Sequence, residues 1–266
     1  MIQRILAAVV GLLIVVPLIV FGGNLGVDLL VGFVVLVCVD EWTRMATPTF
    51  RVPSLVALAV AASVVYGTLV WAPPAAVAPV LGVSVVGLLG FALLRVPETD
   101  AAAKVGVRLV AGLCYTAVLL SYLPAVRRFD DGVAWIFLIL AGTWMCDTGA
   151  YFSGRAFGRR KLFERVSPKK TWEGAIGGMF ASIGGTVAVQ QLALPDLWWV
   201  HAAILGAILA WVGVVGDLVE SMFKRSFGVK DSGWIMPGHG GLLDRVDALL
   251  FTAPVAYAYA RLFGLG

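Results

Sequence analysis

Charged side chains crowd one stretch of an otherwise apolar chain. Residues 221–247 read SMFKRSFGVKDSGWIMPGHGGLLDRVD. A long apolar run ends at Asp217, and Asp244 precedes the next one. Two carboxylates at the depth of lipid phosphates suit Mg²⁺, a hard ion that takes one or two carboxylates and completes its shell with water and phosphate oxygens. The same acids could instead pair with Arg225 and Arg245, because ionisable groups near a bilayer often neutralise one another. Between them, Lys224, Arg225 and Lys230 are cations suited to phosphate. Pro237-Gly238-His239-Gly240-Gly241 cannot continue a helix and offers bare backbone N–H groups of the kind that cradle anions. His239 reads equally as a partner for phosphate or metal-bound water and as a residue that shapes the loop.

If the helix ending at Asp217 continues, Asp217, Glu220, Ser221 and Lys224 fall at i, i+3, i+4 and i+7 and share one face. Such a stripe is either functional or a solvated helix end. A second polar stretch, residues 151–174, reads YFSGRAFGRRKLFERVSPKKTWEG. Arg155, Arg159, Arg160 and Lys161 form one basic cluster; Ser167, Lys169, Lys170 and Thr171 form another. Part of this charge serves topology and attraction to anionic lipid, worth ~1 kcal/mol per basic residue near the surface. Thr171 is placed to cap the helix that follows, whose N-terminus would then face an anion. Asp147, just before this stretch, is an acid near a span end, which is functional by default; its structural rival is an ion pair with Arg155.

These residues need elements to hold them, and the composition says which. Of the 266 residues, 60% are apolar and only 14% are charged, against about a quarter charged in soluble domains. A soluble fold could not hide that much apolar surface. Apolar runs near the ~20 residues needed to cross hydrocarbon lie at 4–23, 26–45, 54–72, 76–95, 105–126, 132–151, 172–193, 197–216 and 247–264. The expected fold class is all-α: a polytopic transmembrane helix bundle of about nine spans. With the N-terminus cytoplasmic, all 20 Lys and Arg except Arg127, Arg128 and Arg261 fall on the cytoplasmic side. The positive-inside rule therefore puts the C-terminus on the opposite side. Residues 1–23 read as a retained first helix, not a cleaved leader. Residues 1–266 are expected to form one integral membrane domain, with packing spans in 1–130 and catalytic spans and loops in 131–266. Cys38, Cys114 and Cys146 lack redox or metal spacing and read as packing residues; His201 reads as structural.

The residues from Ser221 to Asp247 (Ser221, Phe223-Lys224-Arg225, Lys230-Asp231, Gly233, His239-Gly240-Gly241, Asp244-Arg245 and Asp247) resemble the signature of phosphatidate cytidylyltransferases. DTGAYFSGRAFGRRKL and SPKKTWEG resemble that family's other cytoplasmic stretches. The resemblance covers about residues 140–255; Met236 is a mild apolar departure, and the first half matches only in hydropathy.

The resemblance implies CTP and phosphatidate as substrates, membrane lipids as surroundings, a homodimer, and a bacterial inner membrane with the active site facing the cytoplasm. It implies Asp217 and Asp244 as Mg²⁺ ligands, with K⁺ as a second ion. Lys224, Arg225, Lys230, Asp231, His239 and Arg245 would form the catalytic set. Arg155, Arg159, Arg160, Lys161, Ser167, Lys169, Lys170, Thr171, Ser221, Gly240 and Gly241 would bind substrate, and Asp147, Glu220 and Asp247 would orient them. Related CTP-dependent lipid enzymes, an archaeol-type cytidylyltransferase or a polyprenol kinase, are the nearest alternatives. An anion transporter would bury charge at midplane and repeat its halves. A lipid-binding scaffold would not need two acids among the cations. Nucleic acid is not an expected partner.

Overall fold

The computed structural model describes residues 2–233 and 240–266. Among them the chain is helical apart from loops and one short hairpin. The helices are α1 (Ile2–Phe21), α2 (Gly23–Ala46), α3 (Arg51–Trp71), α4 (Pro74–Arg95), α5 (Thr99–Leu113), α6 (Tyr122–Arg127), α7 (Gly132–Phe157), α8 (Trp172–Ala193), α9 (Trp199–Ser226) and α10 (Leu243–Leu262). Strands β1 (Lys161–Phe163) and β2 (Ser167–Thr171) pair antiparallel between α7 and α8. His239 and Pro237-Gly238 of the expected anion loop lie outside the described residues.

Six helical stretches among the described residues are long and apolar enough to cross a membrane: Gly23–Ala46, Pro48–Trp71, Pro74–Arg95, Thr99–Arg127, Gly132–Phe157 and Trp199–Ser226. The protein is thus a polytopic, helical membrane protein. Among the other helices, α8 dilutes its apolar residues with glycines and a Gln190–Gln191 pair. α10 carries Asp244, Arg245, Asp247 and Arg261.

Three local expectations are corrected. The run 105–126 is not one continuous α-helix: α5 passes into a π turn, Cys114–Val118, and α6 starts afresh. Pro124 has no N–H to donate and sits in the first turn of α6, where none is needed. The polar stretch 151–174 is not all irregular, since α7 runs on to Phe157 and a hairpin spans Lys161–Thr171. Cys38 and Cys146 are buried, but Cys114 is exposed on the π turn.

By internal contacts the chain forms two compact units. One comprises residues 1–124 with 227–245; the other comprises 125–226 with 246–266. In the first, polar groups tie apolar helices together. The Tyr66 hydroxyl donates to the Asp28 carbonyl at 2.6 Å and the Trp71 indole N–H to the Asp28 carboxylate at 3.0 Å, fixing α3 on α2. The Trp42 indole donates to the Arg108 carbonyl at 2.9 Å, and the Arg108 guanidinium returns a 2.7 Å bond to the Ala46 carbonyl, fixing α5 on α2.

The second unit is built on close backbone approach. A Cβ at Gly149 would lie 2.5 Å from that of Ala181, and one at Gly178 would lie 2.7 Å from the Cys146 carbonyl, so α7 and α8 pack through small residues. In hydrocarbon, where apolar burial gives no net drive, such packing and interhelical hydrogen bonds hold helices together. Ser182 and Thr186 of α8 each donate to α9 carbonyls, Gly206 and Ala202, at 2.8 Å. The side chains of Thr143 on α7 and Thr252 on α10 are 3.3 Å apart.

Candidate active site

In the second unit, α9 continues past Asp217 to Ser226, so the stripe Asp217, Glu220, Ser221 and Lys224 does share a helix. Lys170, at the end of the hairpin, forms an ion pair with Asp217 at 2.8 Å. Ser221, one turn along, donates to the other Asp217 oxygen at 3.3 Å. Asp247 on α10 lies within electrostatic reach of Asp217, Asp147 and Lys224. Gly216 permits this closeness: a Cβ there would stand 2.8 Å from the Asp247 carbonyl oxygen. Five of the expected site residues (Asp147, Lys170, Asp217, Ser221 and Asp247) therefore form one acid–base cluster where α7, β2, α9 and α10 meet. The Lys170–Asp217 pair is partly exposed, with side chains 23% and 36% accessible. Such pairs contribute only about 0.2–1 kcal/mol to stability, so its significance is positional.

Glu220 and Lys224 pair along α9, and both are buried, at 1% and 8% exposure. Lys224, expected to face phosphate, is thus held by a carboxylate one turn away. Arg225, in the last turn of α9, is exposed.

The hairpin organises the other basic cluster. Thr171 caps α8, its hydroxyl accepting from the Gly174 N–H at 3.1 Å, as the sequence predicts. Glu173 in the first turn accepts from the Arg159 N–H at 3.0 Å and the Arg160 N–H at 3.2 Å. These backbone donors tie Glu173 to the turn that precedes the hairpin. Lys161 reaches across the hairpin to the Pro168 carbonyl at 2.6 Å. Arg159, Arg160, Trp172, Glu173 and Ile176 line an open cavity of about 460 Å³. Arginines beside exposed Trp172 and Ile176 make a surface with a cationic and an apolar side. Arg155 stays on α7, donating to the Tyr151 hydroxyl at 3.2 Å. Ser167 lies in β2 and Lys169 is exposed there.

In the first unit, three donors converge on one oxygen of Asp244: the Ser232 N–H at 3.0 Å, the Ser232 hydroxyl at 2.8 Å and the Gly241 N–H at 2.8 Å. They hold this one oxygen in place. Gly240 has φ +83°, a left-handed conformation that favours glycine, and a Cβ there would stand 2.6 Å from the same Asp244 oxygen. Lys230, Asp231 and Arg245 are exposed.

The sequence reading missed Glu41. It is fully buried at 0% exposure. One of its oxygens accepts from the Leu242 N–H at 2.8 Å and the other from the Leu243 N–H at 2.7 Å. These are N–H groups that the first turn of a helix cannot satisfy itself. The signal was an acid inside an apolar span, by the same rule that marked Asp147.

Among the described residues, no three His, Cys, Asp or Glu side chains gather as a metal site. Asp217 and Asp244 offer carboxylate oxygens, the donor type that a hard ion such as Mg²⁺ takes.

A helical membrane fold carrying an acid–base cluster between α7, β2, α9 and α10 defines a polytopic membrane protein. The chain belongs to the cytidylyltransferase family, whose profile matches residues 2–263. It is 46% identical over 157 residues to the phosphatidate cytidylyltransferase of Brucella suis biovar 1 (strain 1330), covering 58% of this chain and 57% of that one. It is 39% identical over 150 residues to the protein of that name from Bacillus subtilis (strain 168), covering 56% of each. It is 46% identical over 132 residues to that of Pseudomonas aeruginosa, covering 49% of each. The chain thus spans about half the length of the curated relatives it matches.

Proposed function

We propose that this protein is a phosphatidate cytidylyltransferase, converting CTP and phosphatidate to CDP-diacylglycerol and pyrophosphate. Family membership and the names of the relatives support this reading. What carries it at the site is the meeting of Lys170 with Asp217, which joins the SPKK stretch to the acidic residues of α9.

In the reaction, a phosphate oxygen of phosphatidate bonds to the α-phosphorus of CTP. The bond from that phosphorus to the bridging oxygen breaks, and pyrophosphate leaves with the electron pair. The nucleophile is already an anion, so no strong general base is needed. The obstacle is repulsion between two phosphates, which charge neutralisation and positioning overcome. Asp217 and Asp244 would hold Mg²⁺, which when bound neutralises phosphate oxygens; K⁺ would serve as a second ion. Lys224, Arg225, Lys230, His239 and Arg245 would act on the reacting phosphates, with Asp231, Asp147, Glu220 and Asp247 orienting them. The cavity between Arg159, Arg160, Trp172 and Ile176 suits an amphiphile, with the headgroup on the arginines and the chain on the apolar side. Ser167, Lys169, Thr171, Ser221, Gly240 and Gly241 complete the substrate contacts.

The enzyme would cross a bacterial inner membrane nine times as a homodimer of single-domain subunits. Its N-terminus and active site would face the cytoplasm and its C-terminus the other side; the distribution of Lys and Arg supports this orientation.

The test is purified protein in detergent with CTP, phosphatidate and Mg²⁺, read by product mass. CDP-diacylglycerol with pyrophosphate supports the reading. Release of CDP with a phosphorylated lipid would replace it with a kinase.

A further inference from the structure

We infer that Glu41 is a positioning residue for the reaction proposed above: from the second helix it sets the backbone that carries Asp244. The kinetic half of the inference rests on that reaction; the structural half does not.

Glu41 lies inside an apolar helix with no exposure to solvent. Its two oxygens accept the consecutive N–H groups of Leu242 and Leu243, and one of them also lies 3.3 Å from the Ser232 hydroxyl. That hydroxyl has one proton and stands closer to Asp244, at 2.8 Å. Ser232 therefore links the two acids, donating to Asp244 while resting against Glu41. A shift of Glu41 moves the donors that orient Asp244.

Two further observations point the same way. Gly233 and Gly241 both lack a Cβ where one would run into Glu41, at 2.5 Å and 2.6 Å from its oxygen, so both glycines leave room for this carboxylate. The next residue on α2, Trp42, holds the start of the same segment: its ring meets Phe227 edge-on at 5.7 Å, and the Arg108 guanidinium lies 5.3 Å from the Phe227 ring centre. Adjacent residues of α2 thus grip both ends of 227–243. Buried, with both oxygens on backbone donors, Glu41 acts through Asp244 and not on substrate.

The test compares three variants of the full chain in detergent. Glu41→Gln replaces one acceptor oxygen with an NH₂ group. Gly233→Ala keeps Glu41 and displaces its carboxylate from outside. Asp28→Asn alters another buried acid of α2, one that serves Trp71. Two readouts are used: hydrogen–deuterium exchange of the Leu242 and Leu243 amides, and kcat and KM for CTP. Glu41→Gln and Gly233→Ala should speed exchange at those two amides. Both should lower kcat at least about tenfold, ~1.4 kcal/mol, with KM for CTP changed less than about twofold. Asp28→Asn should leave kcat and both amides unchanged.

Unchanged exchange, or wild-type kcat, in Glu41→Gln and Gly233→Ala would overturn the inference. So would an equal loss of kcat in Asp28→Asn. If Glu41→Gln fails to fold, Gly233→Ala alone decides. If the wild-type protein makes no CDP-diacylglycerol, the proposed function falls and the exchange readout alone decides on Glu41.

Discussion

The carboxylate of Glu41 accepts the backbone N–H of Leu243 at 2.7 Å across 202 residues of sequence. A helix from the N-terminal half thereby caps the helix that opens with Leu243 and Asp244. The half of the chain whose sequence offers no motif is structurally part of the motif's environment.

The proposed metal ligands give the first prediction. Asp217→Asn and Asp244→Asn should each cut CTP-dependent product formation at least about 100-fold, ~2.7 kcal/mol, while the protein still inserts and elutes as a single species. EDTA should abolish wild-type turnover and added Mg²⁺ restore it. Near-wild-type turnover in either variant would remove that acid from the metal.

Lys170 separates position from stability. Its pair with Asp217 is partly exposed, so Lys170→Ala should lower stability by less than about 1 kcal/mol. If it neutralises phosphate, turnover should nevertheless drop about tenfold or more. The Lys104–Asp100 pair is more exposed still, and Lys104→Ala should change neither thermal midpoint nor rate.

Lys224 needs a double variant. Removing one partner of a buried ion pair leaves an uncompensated charge and costs about 3–5 kcal/mol. Lys224→Met should therefore lower the thermal midpoint sharply. Lys224→Met with Glu220→Gln should regain most of that loss. A rate that returns together with stability would make Lys224 structural; a rate that stays at least about tenfold down would place it at the phosphates.

The hairpin–helix junction predicts a local effect. Thr171→Ala deletes the cap of α8 and should cost about 0.5–2 kcal/mol. Limited trypsin digestion should then cut faster at Lys161, Arg165 and Lys169, with cleavage elsewhere unchanged. Equal cleavage rates in wild type and variant would mean the cap does not hold the hairpin.

Helix packing gives the last. Gly178→Val would press a side chain into the Cys146 carbonyl. Overpacking of this kind costs about 1–3 kcal/mol, to be read as a lower thermal midpoint in detergent. Gly184→Ala meets open space and should have no such effect.

The sequence by itself determined that this is a helical membrane protein, because apolar runs of span length leave no other solvent for the chain. It also marked the residues proposed for the chemistry, since Asp217, Asp244 and the basic residues stand out against an apolar background, and Thr171 announces its cap through a purely local rule. Tertiary structure decided the partners. Lys170 meets Asp217 across 47 positions and Glu41 meets Leu243 across 202, and no periodicity encodes contacts that helix packing creates. The Glu220–Lys224 pair follows from the i,i+4 spacing on α9; packing decided only that the pair is buried. Charge type is written in the residues; the distance between charges follows only from how buried backbone and side-chain groups are satisfied when the helices pack.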